Sequence, residues 1–344
     1  MKILVLDYVK SNGGGTVISD YILNQLKCDQ NNKWIHITSR NPLDREKKLI
    51  NFDFPWIKKS KIHRLIFEKF YLTKFIKRTN PDLIFSLQNI GVLNFKKQQI
   101  LYVHQALPFT FNNLHAPIPI KDSVKMFILK KVMIKHIKKA NFVIVQTNYM
   151  KNLIKKYNEN IIVSTPKIYI DKRKSHIPTT NLIYPVNAQS YKRFDLVLKI
   201  ARTFKSINQS FKIQLTLNGD ENKNIIFFKR QVLNENLNIE FIGKKTVEDL
   251  ECLYERNNLL FTSEVESLGL PILEAIHYNC KILAYDRPFV KELTCNYKDI
   301  YLFNEDNINE TVIEFIKDIN NIRNGDFPYT SNLLEDLKDL KIFD

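Results

Sequence analysis

Ser263-Glu264-Val265-Glu266-Ser267-Leu268-Gly269-Leu270-Pro271-Ile272-Leu273-Glu274-Ala275 is the stretch from which the rest of the chain is read. The apolar run Leu259-Leu260-Phe261 enters it in the manner of a buried strand, and a polar turn with one glycine follows. Pro271 then opens a helix carrying Glu274, because the missing N–H of proline falls where a helix has no partner for it. The unpaired amides of that first turn, with the positive end of the helix dipole behind them, face the loop that holds Glu266. Such a place suits a phosphate or a sugar hydroxyl. The two bracketing carboxylates can accept hydrogen bonds from the hydroxyls of a sugar or a ribose.

Outward from this stretch, 344 residues are enough for two domains. The composition, 44% apolar and 26% charged, is that of a globular protein. No apolar run reaches the ~18 residues of a membrane span, and the N-terminus runs directly into a strand instead of a signal peptide. Cys28, Cys252, Cys280 and Cys295 form no CxxC pairing, which fits structural thiols in a reducing compartment and a cytoplasmic location. The net charge of +16 points to anionic partners. A general richness in Lys, Asn and Ile dilutes that signal, so only local clusters count.

The first half reads as strands at Lys2–Tyr8, Trp34–Thr38, Asp82–Leu87, Ile100–His104 and Phe142–Thr147. Between them fall helices after Gly15, over a strongly basic stretch from Lys59 to Arg78, and over Tyr149–Tyr157. The period is lost from Thr165 to Asn181, where Pro166, Asp171-Lys172-Arg173-Lys174 and Pro178 mark a linker. A second series follows, with strands at Leu182–Val186, Lys212–Asn218, Ile239–Ile242, Leu259–Thr262, Lys281–Tyr285 and Ile300–Phe303. Helices alternate with them at Phe194–Ile207, Ile225–Asn234, Val247–Arg256, Pro271–Tyr278 and Asn309–Ile322. Alternation of this kind implies an α/β fold with mostly parallel sheets. The expected domains are 1–165, a linker at 166–180, and 181–344, with a ligand in the cleft between two such halves.

Gly13-Gly14-Gly15, between the first strand and a helix, would let backbone amides approach a phosphate; a plain tight turn explains three glycines as well. It is not a Walker A loop, since no Gly-Lys-Ser/Thr follows. His104, closing Tyr102-Val103-His104-Gln105, could bond a substrate or carry a proton, or simply end a strand. Lys121 to Ala140 reads as an amphipathic basic helix that packs on a sheet or meets an anionic membrane face, where each basic residue adds ~1 kcal/mol. Tyr191-Lys192-Arg193-Phe194 begins a helix, and Lys192 could neutralise a diphosphate. The bland reading of Lys192-Arg193 is a solvated pair. The chain contains no Asp-x-Asp and no HExxH, so a departing diphosphate would be met by lysine, arginine and helix amides and not by a metal.

Taken together these residues resemble a known family. Glu266-Ser-Leu-Gly-Leu-Pro-Ile-Leu-Glu274-Ala, preceded by a strand and followed by Cys280-Lys-Ile-Leu-Ala-Tyr-Asp286, resembles the E-x7-E signature of family 4 retaining glycosyltransferases of the GT-B fold. Ile239-Glu-Phe-Ile-Gly243 and Val290-Lys-Glu292-Leu293 fit the same pattern, which is strong over residues 180 to 295. In the weaker first half the glycine loop, Val103-His104-Gln105 and Val145-Gln146-Thr147 keep the family's order. The resemblance implies two Rossmann-like parallel-sheet domains facing a central cleft: a first domain on the acceptor side and a second that binds the nucleotide sugar.

It also implies roles. Glu274 would bind the ribose; Glu266, with the amides of Ser267, Leu268, Gly269 and Leu270, would hold the donor sugar. Lys192 would grip the diphosphate over the Gly13–Gly15 loop, and His104 would stand near the donor sugar. The family's arginine before that lysine is missing, with Val186-Asn187 in its area, and Arg193 is the expected substitute. Glu264 falls outside the pattern and is expected in solvent.

The expected function is metal-independent, retaining transfer of a hexosyl-type sugar from a nucleotide diphosphate to an acceptor hydroxyl, with no cofactor. The setting implied by the resemblance is bacterial O-antigen, capsule or other surface-glycan synthesis. Expected partners are the nucleotide-sugar donor and a glycan or lipid-linked glycan acceptor at the inner face of the plasma membrane, with basic helices touching the anionic membrane. No nucleic-acid module is recognisable. The alternatives are a GT-B-like sugar-nucleotide epimerase or hydrolase, and a non-catalytic basic module for anionic lipid or nucleic acid.

Overall fold

The computed structural model describes residues 1–9, 14–39, 49–116, 118–167, 176–321, 323, 330–340 and 342. The chain forms two compact units, one of residues 1–109, 124–168 and 330–344, the other of residues 110–123 and 169–329. Most of the stretch expected as a linker, residues 168–175, lies outside the described residues, as does Gly13.

In the first unit the described strands are β1 (Lys2–Asp7), β2 (Lys33–Thr38), β3 (Leu49–Asp53), β4 (Leu83–Ser86), β5 (Gln98–Tyr102), β6 (Phe142–Val145) and β7 (Ile161–Val163). They form one sheet in the order β3-β2-β1-β4-β5-β6-β7. Every described pairing in it is parallel. Ile3, Leu4, Val5 and Leu6 are wholly buried in succession, as a strand covered on both faces requires. The edge strands β3 and β7 are not legible as apolar runs, because Leu49–Asp53 and Ile161–Val163 are short and only partly buried.

The basic stretch from Lys59 is helical from Lys61, with Ser60 capping it through the His63 N–H. It carries a π-helical turn at Phe67–Leu72 before continuing over Thr73–Thr79. The C-terminal stretch also belongs to this unit: Ser331 bridges to Pro166, its Oγ meets Ser164 Oγ at 3.0 Å, and the helix Leu333–Asp339 lies against the helix Gly14–Cys28.

In the second unit β8 (Leu182–Tyr184), β9 (Ile213–Leu215), β10 (Ile239–Phe241), β11 (Asn258–Phe261), β12 (Ile282–Tyr285) and β13 (Ile300–Phe303) form a sheet in the order β10-β9-β8-β11-β12-β13. All its described pairings are parallel as well. The helix Phe194–Ser206 covers it with Leu196, Val197, Ile200, Ala201 and Phe204, all buried at helical spacing.

Both sheets reverse direction at a definable place. In the first, β2 and β3 are added on one side of β1, and β4 onward on the other; in the second, β9 and β10 lie to one side of β8, and β11 onward to the other. Ligands of open α/β sheets bind beyond the carboxyl ends of the strands at such switch points. They lie between β1 and β4, and between β8 and β11.

Candidate functional site

The second unit's switch point holds the stretch from which the sequence was read. The loop after β8 ends in a 3-10 turn, Ser190–Lys192, and the loop after β11 runs from Thr262 to Gly269. The two are laced together by hydrogen bonds. Thr262 Oγ1 donates to the Lys192 carbonyl at 2.6 Å, Tyr184 Oη to the same carbonyl at 3.2 Å, and the Glu264 N–H to the Tyr191 carbonyl at 2.8 Å.

On this base Lys192 Nζ pairs with Glu266 Oε1, and Ser263 Oγ donates to the same oxygen at 2.8 Å. Lys192 is buried, with 8% of its surface exposed, and its ammonium lies 5.4 Å from the centre of the Tyr191 ring. The solvated-pair reading of Lys192-Arg193 therefore does not hold. Burial beside Glu266 also pushes the Tyr191 hydroxyl above its ordinary range.

Gly269, at φ 84° and ψ 56°, turns the loop into the helix Leu270–His277, with Pro271 in its first turn. That conformation favours glycine. Glu274 sits one turn in, half-buried, and Tyr254 Oη donates to its Oε2 at 2.7 Å. Lys192, Glu266, the Ser267–Leu270 turn and Glu274 thus belong to one continuous stretch of structure.

Two sequence expectations change here. Arg193 has a left-handed backbone, and its guanidinium is held by Asp195 (2.8 and 2.9 Å) and Glu305 (2.9 Å), with the Tyr285 ring beside it. Its charge is committed to fixing the start of the helix Phe194–Ser206. Glu264, expected in solvent, is instead buried with a fully covered side chain that binds residues 115 and 116. The apolar neighbours Val265 and Phe261 did not distinguish the two glutamates, and the partner lies about 149 positions away.

Arg287 was not singled out from the sequence. Its Nε donates to the Glu264 carbonyl at 3.2 Å, which places a further cation beside the Glu264–Glu266 loop. The signal was present as a strand end followed by proline, Tyr285-Asp286-Arg287-Pro288, where a helix begins.

The first unit's switch point carries the other expected residues. Gly14 and Gly15 open the helix that follows β1. Two residues beyond β5, His104 is fixed by Asn89, a left-handed residue in the loop after β4. Asn89 Oδ1 accepts from the His104 N–H at 2.7 Å, which directs Asn89 Nδ2 to His104 Nε2 at 3.2 Å. A donating amide makes Nε2 the acceptor, so the neutral ring carries its proton on Nδ1. Among the described residues no cluster of three or more His, Cys, Asp or Glu is placed to hold a metal ion.

The arrangement defines a class before any comparison. Two doubly wound units, each with polar groups at its switch point, form the GT-B fold, and solved structures match it over nearly the whole chain. Anabaena Alr3699/HepE in complex with UDP and glucose is 13% identical, with 93% of this chain and 90% of that chain covered and a TM-score of 0.64. WaaG, a glycosyltransferase involved in lipopolysaccharide biosynthesis, is 13% identical over 92% of this chain and 90% of that one, at a TM-score of 0.65.

Residues 169–324 match the family model for glycosyl transferases group 1, and the matched stretch contains Lys192, Glu266 and Glu274. The poly(ribitol-phosphate) alpha-N-acetylglucosaminyltransferase of Staphylococcus aureus (strain COL) is 23% identical over 197 residues, 56% of this chain. The chain spans 44% and 39% of the lengths of the two curated relatives it matches.

Proposed function

We propose that this protein is a metal-independent, retaining glycosyltransferase of family 4 that moves a hexosyl-type sugar from a nucleotide diphosphate to an acceptor hydroxyl. The observation that carries the reading is the juxtaposition, at one switch point, of a buried lysine, the carboxylate that pairs with it, and a second carboxylate one turn into a helix that starts there. Lys192 offers a fixed positive charge to the diphosphate; an anion placed against it competes with Glu266, which keeps its bond from Ser263. Positive charge already in position stabilises a leaving phosphate without reorganisation. Glu266, released towards the sugar, and the Ser267–Leu270 turn hold the donor sugar, and Glu274 accepts from the ribose hydroxyls. In the first unit, His104 with its Asn89 partner and the amides at Gly14-Gly15 contact substrate.

As the leaving group departs, the sugar takes on oxocarbenium character. The acceptor oxygen then bonds the anomeric carbon on the face the phosphate has left, giving its proton to that phosphate, and attack on this face gives retention. UDP is the first donor to test, since UDP and glucose are named with Alr3699/HepE, and the relatives named above suit a surface-glycan acceptor. Three exposed thiols, Cys28, Cys252 and Cys295, suit the reducing cytoplasm. Among the described residues no helix is long and apolar enough to cross a membrane.

The test is a panel of UDP-, GDP- and other nucleotide sugars scored by thermal stabilisation, with Lys192→Ala and Glu274→Ala beside the wild type. One donor should stabilise the wild type and neither variant. Release of free or isomerised sugar without acceptor would favour an epimerase or hydrolase, and silence towards every donor would overturn the reading. Turnover should persist in EDTA, and the product anomer, read by NMR, should match the donor's.

A further inference from the structure

We propose that one face of the first unit, built from the helices Lys61–Thr79 and Ile120–Lys139, docks on an anionic lipid bilayer. Along the first helix Ile62 (68%), Leu65 (63%), Ile66, Phe70 (61%) and Tyr71 are exposed. The spacing of residues 62, 65, 66 and 70 places them on one stripe. Within the second helix Val124, Phe127, Ile128 and Val132 are exposed, while Met133, His136 and Ile137 are buried beneath. This helix therefore has a second apolar side that the fold does not use.

The two helices share a face of the sheet. The connections β3 to β4 and β5 to β6 step across it in the same direction, and right-handed crossovers put both on the same side. Their proximity is also electrostatic: the Glu68 carboxylate acts on His136 of the second helix.

The charges around this face are basic apart from Asp122, an exposed acid in the first turn of the second helix, and Glu68 on the first. Lys58, Lys59, Lys61, Lys69, Lys74, Lys77 and Arg78 are exposed around the first stripe, and Lys125, Lys131, Lys135, Lys138 and Lys139 around the second. Between residues 54 and 81 the only acid is Glu68, and it is taken up by Arg64 Nε at 2.8 Å and Tyr8 Oη at 3.3 Å. Apolar side chains ringed by lysines, with Glu68 neutralised internally, match the interface of an anionic membrane: the rings and branched chains enter the headgroup boundary while the lysines reach the phosphates. Lys131 already lies over the Phe127 ring, 4.5 Å from its centre. A second copy of the chain is a poorer occupant, because it would set these lysines against one another.

The proposal does not depend on the donor chemistry, so its test is separate. The full chain is sedimented with phosphatidylcholine vesicles and with vesicles that also contain phosphatidylglycerol. The wild type should bind the anionic vesicles about tenfold or more better, and added salt should weaken that binding. Phe70→Ser with Phe127→Ser should lower it by about tenfold at unchanged charge, and Lys69→Glu with Lys131→Glu by at least as much. These sites are exposed, so thermal unfolding should match the wild type and exclude misfolding. Absence of vesicle binding, binding indifferent to the phenylalanines, or a concentration-dependent dimer that the serine pair abolishes would each overturn the proposal.

Discussion

Glu264 and His115 are bound twice: one carboxylate oxygen, Oε1, accepts from the His115 N–H and from His115 Nδ1, both at 2.7 Å. The second oxygen accepts from the Ala116 N–H at 3.3 Å. The carboxylate is fully covered, whereas the histidine side chain is 59% exposed. Glu264 thus holds residues 115 and 116 against the loop that also carries Glu266, and its own N–H ties that loop to Tyr191. Glu264→Ala would leave two backbone donors and an imidazole without their acceptor. A loss of about 2–3 kcal/mol in urea unfolding is expected, with faster proteolysis between residues 110 and 123. Glu264→Gln should recover part of both.

Lys192 is the residue whose loss should matter most to turnover and least to folding. Its partner Glu266 keeps the Ser263 hydrogen bond and partial exposure, so the variant Lys192→Ala leaves no fully buried charge. Loss of a positioned donor to a leaving group costs about 10²–10³ in kcat. Single-turnover assays should show that loss, with a melting temperature close to the wild type.

Glu274 and Tyr254 make a graded pair. Removing the carboxylate takes away a charged acceptor worth about 1.5–3 kcal/mol, so Glu274→Ala should weaken the donor about 10- to 100-fold in titration. Tyr254→Phe removes only the 2.7 Å hydrogen bond that orients it, and a weakening of a fewfold is expected. Equal effects of the two changes would argue that Glu274 is structural.

Much of this was legible from the chain because it is local. The Glu266-to-Glu274 stretch carries its own strand, glycine turn and proline, so loop and helix follow from neighbouring residues. Lys192 was marked by the resemblance, whereas its own neighbours suited a solvated pair; its burial against Glu266 depends on a loop 74 positions away. Arg193 was not legible, because its role depends on Asp195 and on Glu305, 112 positions away. Glu264 was misplaced for the same reason. Asn89 has only its turn position to mark it, since its bonds run to the next strand's end. The edge strands β3 and β7 escaped because a half-covered strand lacks the continuous apolar run that marks a central one.

Two histidines should make stability fall on acidification. Burial holds His136 and His176 below the ordinary histidine range; Glu68 pulls the first partly back and the Tyr254 carbonyl the second. A lowered folded value means that the unfolded chain binds the proton more readily. Stability is therefore complete above the unfolded value of about 6.5 and is lost as pH falls from there through the folded values. Melting temperatures from pH 8 down to pH 5 should decline (about one to two units either side of that value), and His136→Asn, whose amide oxygen can still accept from the Gly91 N–H, should flatten part of the decline.

The turn at Gly269 tests whether the helix start positions the chemistry. Its φ of 84° is one that other residues adopt at a cost, and a Cβ there would lie 3.3 Å from Ile272 Cδ1 and 3.5 Å from Leu293 Cδ1. Gly269→Ala therefore meets two penalties: left-handed strain of about 1–2 kcal/mol and a neighbour that must yield by a few tenths of an ångström. Gly269→Asn meets the same contact, but asparagine tolerates this backbone better. Stability should fall in the order glycine, asparagine, alanine. If the helix start sets Glu274 on the ribose, donor affinity should fall in the same order, because the helix is displaced at its first turn. Affinity that stays constant while stability drops would separate the turn from the site and leave Glu274 without its proposed role.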